Sequence, residues 1–111
     1  MLVNVRRGMP VWDEETFGPV APIVAASSRE QAIELANDTP YGLGASVYTR
    51  DVALGEQIAA RQLEAGNCFV NSFVFSDPRL PFGGIKQSGY GRELGIFGIR
   101  EFTNIKTVYV R

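Results

Sequence analysis

Apolar residues recur along the chain at two different spacings, and the alternation between them predicts its elements. The run Val20-Ala21-Pro22-Ile23-Val24-Ala25 is short and β-branched, lying between Pro19 and Ser27-Ser28, and reads as a strand. Pro22 has no N–H to donate to a ladder, which places it at a sheet edge or at the strand's start. Ser27 and Ser28, followed three residues later by Glu30 and Gln31, form a capping-box pattern. The spacing then predicts a helix from Arg29 to Asn37 that buries Ala32, Ile33, Leu35 and Ala36 and stops before Pro40. Beyond the turn Tyr41-Gly42-Leu43-Gly44, residues Ala45 to Thr49 read as a second strand. Asp51 can cap a helix from Val52 to about Glu64, with Leu54, Ile58, Ala59 and Leu63 towards the core. Gly66 is expected to close that helix in a left-handed cap. Asn67-Cys68-Phe69-Val70-Asn71 is a third strand, apolar enough to be buried. Strand, helix, strand, helix, strand in this order imply parallel crossover units and an α/β fold. A short helix from about Leu94 to Phe102 follows. The segment Ile105-Lys106-Thr107-Val108-Tyr109-Val110-Arg111 reads as a strand whose edge wants a partner beyond the chain.

Composition narrows the chemistry. A chain of 111 residues suits one domain, and a 45% hydrophobic, 21% charged make-up is that of a globular chain. Twelve acidic against eleven basic side chains leave a net charge of −1, which gives no field to gather phosphates, so nucleic acid and basic membrane anchoring lose support. No apolar run approaches the roughly 20 residues that span a bilayer. The opening Met1 to Arg7 lacks the apolar core and cleavage site of a signal peptide. With no histidine there is no Ser-His or Cys-His nucleophile pair and no ordinary catalytic zinc site. A single cysteine makes no internal disulfide, which fits a reducing cytoplasm.

Three stretches carry candidate chemistry, each beside a plainer reading. Six of the twelve glycines lie between Gly83 and Gly98. The spacing matches neither a Walker A loop nor a dinucleotide fingerprint, so the stretch is a crossing loop or a close backbone approach to a ligand. In Asp13-Glu14-Glu15-Thr16-Phe17-Gly18-Pro19 a carboxylate can hold the paired hydroxyls of a ribose and an aromatic ring can wall a flat heterocycle. The alternative is a solvated acidic turn. Ser72-Phe73-Val74-Phe75-Ser76 puts aromatics and hydroxyls just past a strand, where open α/β sheets place pocket residues; core packing is the competing role for each phenylalanine. Cys68 sits in an apolar strand without a basic neighbour and reads as structural.

Taken together the stretches are more specific than any one alone. Glu14 to Val20, Asn37 to Leu43, Pro81 to Lys86 and Ser88 to Glu93 occur in order, and the chain from about Met9 to Arg111 resembles the C-terminal quarter of the NAD(P)-dependent aldehyde dehydrogenases. Asn71 to Leu80 further resembles the succinate-semialdehyde dehydrogenase branch. The resemblance implies residues 1–104 as the C-terminal part of the catalytic domain and 105–111 as an oligomerisation strand. It implies that Glu15 holds the nicotinamide-side ribose and Phe17 packs near the nicotinamide of NAD or NADP. It also implies that Phe82 lines the aldehyde channel beside Phe75 and Ser76, and that the Ser76 hydroxyl binds a distal carboxylate, since a carboxylate in an aromatic tunnel must be hydrogen-bonded. The family's nucleophilic cysteine, oxyanion-holding asparagine and general-base glutamate lie upstream of everything matched here, and Cys68 is not in the nucleophile's place.

The expectation is therefore a cytoplasmic α/β piece of an oxidoreductase that oxidises an aldehyde, succinate semialdehyde above others, with NAD(P)+. It supplies walls and clamps, contains no catalytic residue or metal ligand, binds no cofactor alone and is inactive alone. The opening Met1-Leu2-Val3 falls inside the family pattern, as in a truncated frame or expressed fragment. The competing expectation is a non-catalytic assembly module whose terminal strand or exposed core edge completes another polypeptide or associates with copies of itself.

Overall fold

Helix starts in this chain are fixed by side-chain oxygens. The computed structural model describes residues 1–111, in two units, Met1–Pro40 and Tyr41–Arg111. In the first, Pro10 opens the single-turn helix α1 (Pro10–Asp13) at a position where its missing N–H goes unneeded. Helix α2 (Arg29–Asn37) begins where the Ser28 hydroxyl accepts from the Gln31 N–H at 3.1 Å. The Gln31 side-chain oxygen in turn accepts from the Ser27 N–H at 2.6 Å and the Ser27 hydroxyl at 2.8 Å. The expected box is present, shared between both serines.

Two expectations for this unit are corrected. Val20 to Ala25 do not form a strand; one parallel bridge joins Pro22 to Leu2, through Leu2 N–H to Ala21 O and Ile23 N–H to Leu2 O. Pro22 offers no donor, and Asn4, at φ 58°, turns the opposing segment away two residues later. Nor does α2 bury its apolar face. Ala32 and Ala36 are exposed, Ile33 and Leu35 half-buried, and Val5 is the unit's one buried hydrophobic side chain. Ala32, Leu35 and Ala36 instead border an open groove of about 350 Å³ with Val5, Trp12 of α1 and Val24.

The second unit contains the crossover. Strands β2 (Gly44–Val47) and β3 (Asn67–Val70) pair in parallel, from Gly44 opposite Asn67 to Val47 opposite Val70, and helix α3 (Val52–Arg61) connects them. Asp51 caps α3, its carboxylate accepting from the Leu54 N–H at 3.0 Å. Ile58 is the unit's buried hydrophobic anchor, and Gly55 lets the helix press on Val70 and Thr49, where a Cβ would come within 3 Å of both. Strand β1 (Tyr41–Gly42) pairs antiparallel with β4 (Ile85–Lys86), and helix α4 (Gly95–Glu101) follows the glycine-rich stretch.

Helix α3 ends at Arg61, earlier than expected, with Gln62 as its cap; Gly66 does not adopt a left-handed cap. Its reason for being glycine is contact: a Cβ there would overlap the Gly83 carbonyl oxygen. Residues 105–111 form no ladder with any strand of the chain and are exposed along their length. β-propensity measures fit to a pleated surface and makes no strand without a neighbour.

Candidate functional site

Strand β3 carries an asparagine at its start and another just past its end, and both set the loops around them. Asn71 has φ 54°, a left-handed conformation that asparagine tolerates, and leaves the strand there. Its side-chain oxygen accepts from the Thr49 N–H at 2.8 Å while its Nδ2 donates to the Thr49 carbonyl at 2.9 Å. The following segment is thereby aimed off the end of a parallel pair, the position at which such sheets hold ligands. On it Phe75 stacks obliquely against Phe69, with ring centroids 5.2 Å apart, and against Phe73 at 5.9 Å.

The chain then makes a tight turn. The Asp77 carboxylate accepts from the Arg79 N–H at 2.9 Å, the Asp77 carbonyl accepts from the Leu80 N–H at 2.9 Å, and the Arg79 guanidinium closes on both Asp77 oxygens at 2.9 and 2.6 Å. Hydrogen bonds from the Arg79 side chain, reinforced by its backbone N–H and its charge, lower the Asp77 carboxyl to about 2. Phe82 is fixed beyond the turn by two hydrogen bonds exchanged with Glu93, at 2.8 and 2.7 Å. Phe69, Phe75, Leu80, Phe82, Cys68 and Asp77 enclose, with Asn67, a cavity of about 160 Å³.

The structure thus brings two of the three channel residues named from sequence, Phe75 and Phe82, to one cavity. Ser76 is exposed and is not on that wall; its neighbour Asp77 is. Glu15 and Phe17 belong to the first unit, where both are exposed, the phenylalanine to 89%, and no hydrogen bond or ion pair ties the glutamate. Sequence reading missed Asn67, Phe69, Asp77 and Leu80 as lining residues. The turn Asp77-Pro78-Arg79-Leu80 offered a signal, since aspartate before proline favours such a turn; nothing local pointed to Asn67. Cys68 is half-buried, its thiol 3.8 Å from the Ala65 carbonyl, and burial pushes that thiol up more strongly than the hydrogen bond lowers it. That is the environment of an unreactive cysteine.

The aromatic cavity lies against the first residues of β3 and is closed by the segment that follows the strand and by Phe82 of the glycine-rich return, and apolar cavities with a few polar groups are where α/β proteins hold small organic molecules. Residues 1–108 match the aldehyde dehydrogenase family, and the chain belongs to it. It is 50% identical over 98% of its length to succinate semialdehyde dehydrogenase [NAD(P)+] Sad of Escherichia coli. It is 48% identical over 99% of its length to succinate-semialdehyde dehydrogenase [NADP(+)] 1 of Mycobacterium ulcerans. It spans about a quarter of both, 23% and 24%. The succinic semialdehyde dehydrogenase of Streptococcus pyogenes, solved with NADP+ as cofactor, superposes with a TM-score of 0.91 at 44% identity, covering 97% of this chain and 24% of that one. No helix of the chain is long and apolar enough to cross a membrane.

Proposed function

We propose that this chain is the portion of a cytoplasmic aldehyde dehydrogenase that clasps the cofactor ribose and walls the aldehyde channel, in an enzyme that oxidises succinate semialdehyde to the dicarboxylate with NAD or NADP. The observation that carries the reading is the 50% identity to the Escherichia coli succinate semialdehyde dehydrogenase across 98% of the chain. That span is wide enough to include every residue assigned below.

The residues suit these tasks. The Glu15 carboxylate, with no partner of its own, has acceptor capacity for two neighbouring ribose hydroxyls. Phe17 offers an open ring face for a flat nicotinamide. The nicotinamide of a bound cofactor would supply the hydride acceptor. Phe75 and Phe82 exclude water around the aldehyde and orient it. Ser76, exposed and off the aromatic wall, has a hydroxyl to donate to the far carboxylate of a semialdehyde. We place the family's nucleophilic cysteine, oxyanion asparagine and general-base glutamate in the three quarters of the relatives that this chain does not span. Cys68, half-buried and with its thiol pushed up, has no part in the chemistry.

The decisive experiment seats this chain in place of the matching quarter of the Escherichia coli enzyme. The hybrid is expected to oxidise succinate semialdehyde with NAD(P)+, whereas the 111-residue chain alone gives no reduced cofactor. Ser76→Ala in the hybrid should raise KM for succinate semialdehyde about tenfold, the loss of one hydrogen bond to a charged group, and leave KM for butanal unmoved. A hybrid that folds without turnover refutes the functional reading; equal effects on both aldehydes refute the role of Ser76.

A second reading rests on residues 105–111, which are β-branched, exposed and without a ladder. They suit pairing with another chain, so that the segment acts in oligomerisation. Deleting them should lower the sedimentation coefficient of the chain; an unchanged value at every concentration removes this role.

A further inference from the structure

Phe82 is only as well placed as the glycines that follow it, and Gly83-Gly84 have no side chains with which to hold themselves. Three anchors fix the stretch. Phe82 exchanges backbone hydrogen bonds with Glu93. The Gly84 carbonyl accepts from Arg92 at 2.7 Å. Between them, the Gly83 carbonyl is held by one side chain from another element: Asn67 Nδ2 donates to it at 2.9 Å. The same nitrogen donates to the Leu43 carbonyl at 2.8 Å, and the Asn67 backbone N–H reaches that carbonyl at 3.1 Å. The fit around this point is tight. A Cβ at Gly66 would overlap the Gly83 carbonyl oxygen, and one at Gly83 would overlap the Gly91 carbonyl oxygen. Backbone thus crowds the Gly83 carbonyl on the Gly66 side, and the Asn67 amide bonds it.

Residue type matters here. Two carbonyl oxygens converge on a single nitrogen, which needs two N–H bonds on one planar group, and a primary amide supplies both. Aspartate has the same shape but would set an oxygen against two oxygens. Asn67 also stands on the wall of the aromatic cavity with Phe82.

We propose that Asn67 is a positioning residue: by bridging the Leu43 and Gly83 carbonyls it locks the glycine stretch to the start of β3 and so fixes the Phe82 ring at the aldehyde channel. This rests on the reading of the chain as an aldehyde dehydrogenase segment, and two measurements separate the two claims. In the 111-residue chain, hydrogen exchange at the Phe82 and Glu93 amides should speed up about tenfold in Asn67→Asp. Asn67→Ser, which retains one donor, should show a smaller rise, and the Gln62 amide at the end of α3 should not change in either variant. Unchanged exchange at Phe82, or an equal rise at Gln62, overturns the clamp whether or not any hybrid is active. In the Escherichia coli hybrid, Asn67→Asp should raise KM for succinate semialdehyde about tenfold while kcat and KM for the cofactor hold. A fall in kcat with KM unchanged would show that the clamp serves stability and not the channel. An inactive unsubstituted hybrid would count against the functional reading alone.

Discussion

Cys68 and Asp77 share a cavity wall, and their surroundings push their titrations in opposite directions. Burial raises the Cys68 thiol above its ordinary 9.0. A group raised in the folded state contributes stability that is full below the unfolded value and is lost as pH climbs through the folded one. Iodoacetamide should accordingly label Cys68 slowly at pH 7, and thermal stability should fall above pH 9; fast labelling at neutral pH would contradict the burial argument. Asp77 is lowered from 3.8 to about 2, first by the Arg79 side-chain hydrogen bonds, so its contribution is present above pH 3.8 and lost on descending towards 2. Arg79→Gln should therefore bring loss of Leu80 amide protection at higher pH than in the unsubstituted chain, read by exchange between pH 5 and 2. Two of the residues named from the sequence, Phe75 and Phe82, line this cavity. Phe75 stands out as an aromatic just past a strand, whereas Phe82 is named only through the resemblance of Pro81 to Lys86 to the family pattern. Asn67 does not stand out, because its amide serves carbonyls 24 and 16 residues away, and a partner that distant leaves no mark on local pattern.

Helices were read well and strands less so, for a reason that separates the two kinds of element. A cap lies within three residues of what it caps, so Ser28 and Asp51 marked the starts of α2 and α3 in the sequence itself. Ser28→Ala and Asp51→Ala should each cost about 1 kcal/mol of stability in denaturant titrations. A strand is completed by another segment. Residues 20–25 found one bridge and 105–111 found none, although their side chains have the right propensity. Gly66 follows the same rule: glycine after a helix is the local mark of a cap, yet here it clears the Gly83 carbonyl oxygen. Gly66→Ala should destabilise by about 1–3 kcal/mol because backbone must move to admit the methyl group. Gly91, with nothing near its missing Cβ and no left-handed φ, should accept alanine without loss. Equal midpoints for the two variants would undo the distinction.

Across the whole molecule only Val5 and Ile58 are buried hydrophobic side chains, whereas Phe73, Ile99 and Phe102 are among many large apolar residues left in solvent. So many large apolar side chains in solvent are unusual for a self-contained globular domain, which agrees with a chain that matches about a quarter of its relatives' length. The same exposure bears on residues 107–110, a β-prone stretch without charge or proline, bracketed by Lys106 and Arg111. Such windows are the raw material of fibrils, and flanking charges keep like segments from stacking. The charges of Lys106 and Arg111 oppose the stacking of like segments in register. Lys106→Val should shorten the lag of thioflavin-positive fibril growth in the isolated chain, and an unaltered lag would show that colloidal solubility is guarded elsewhere.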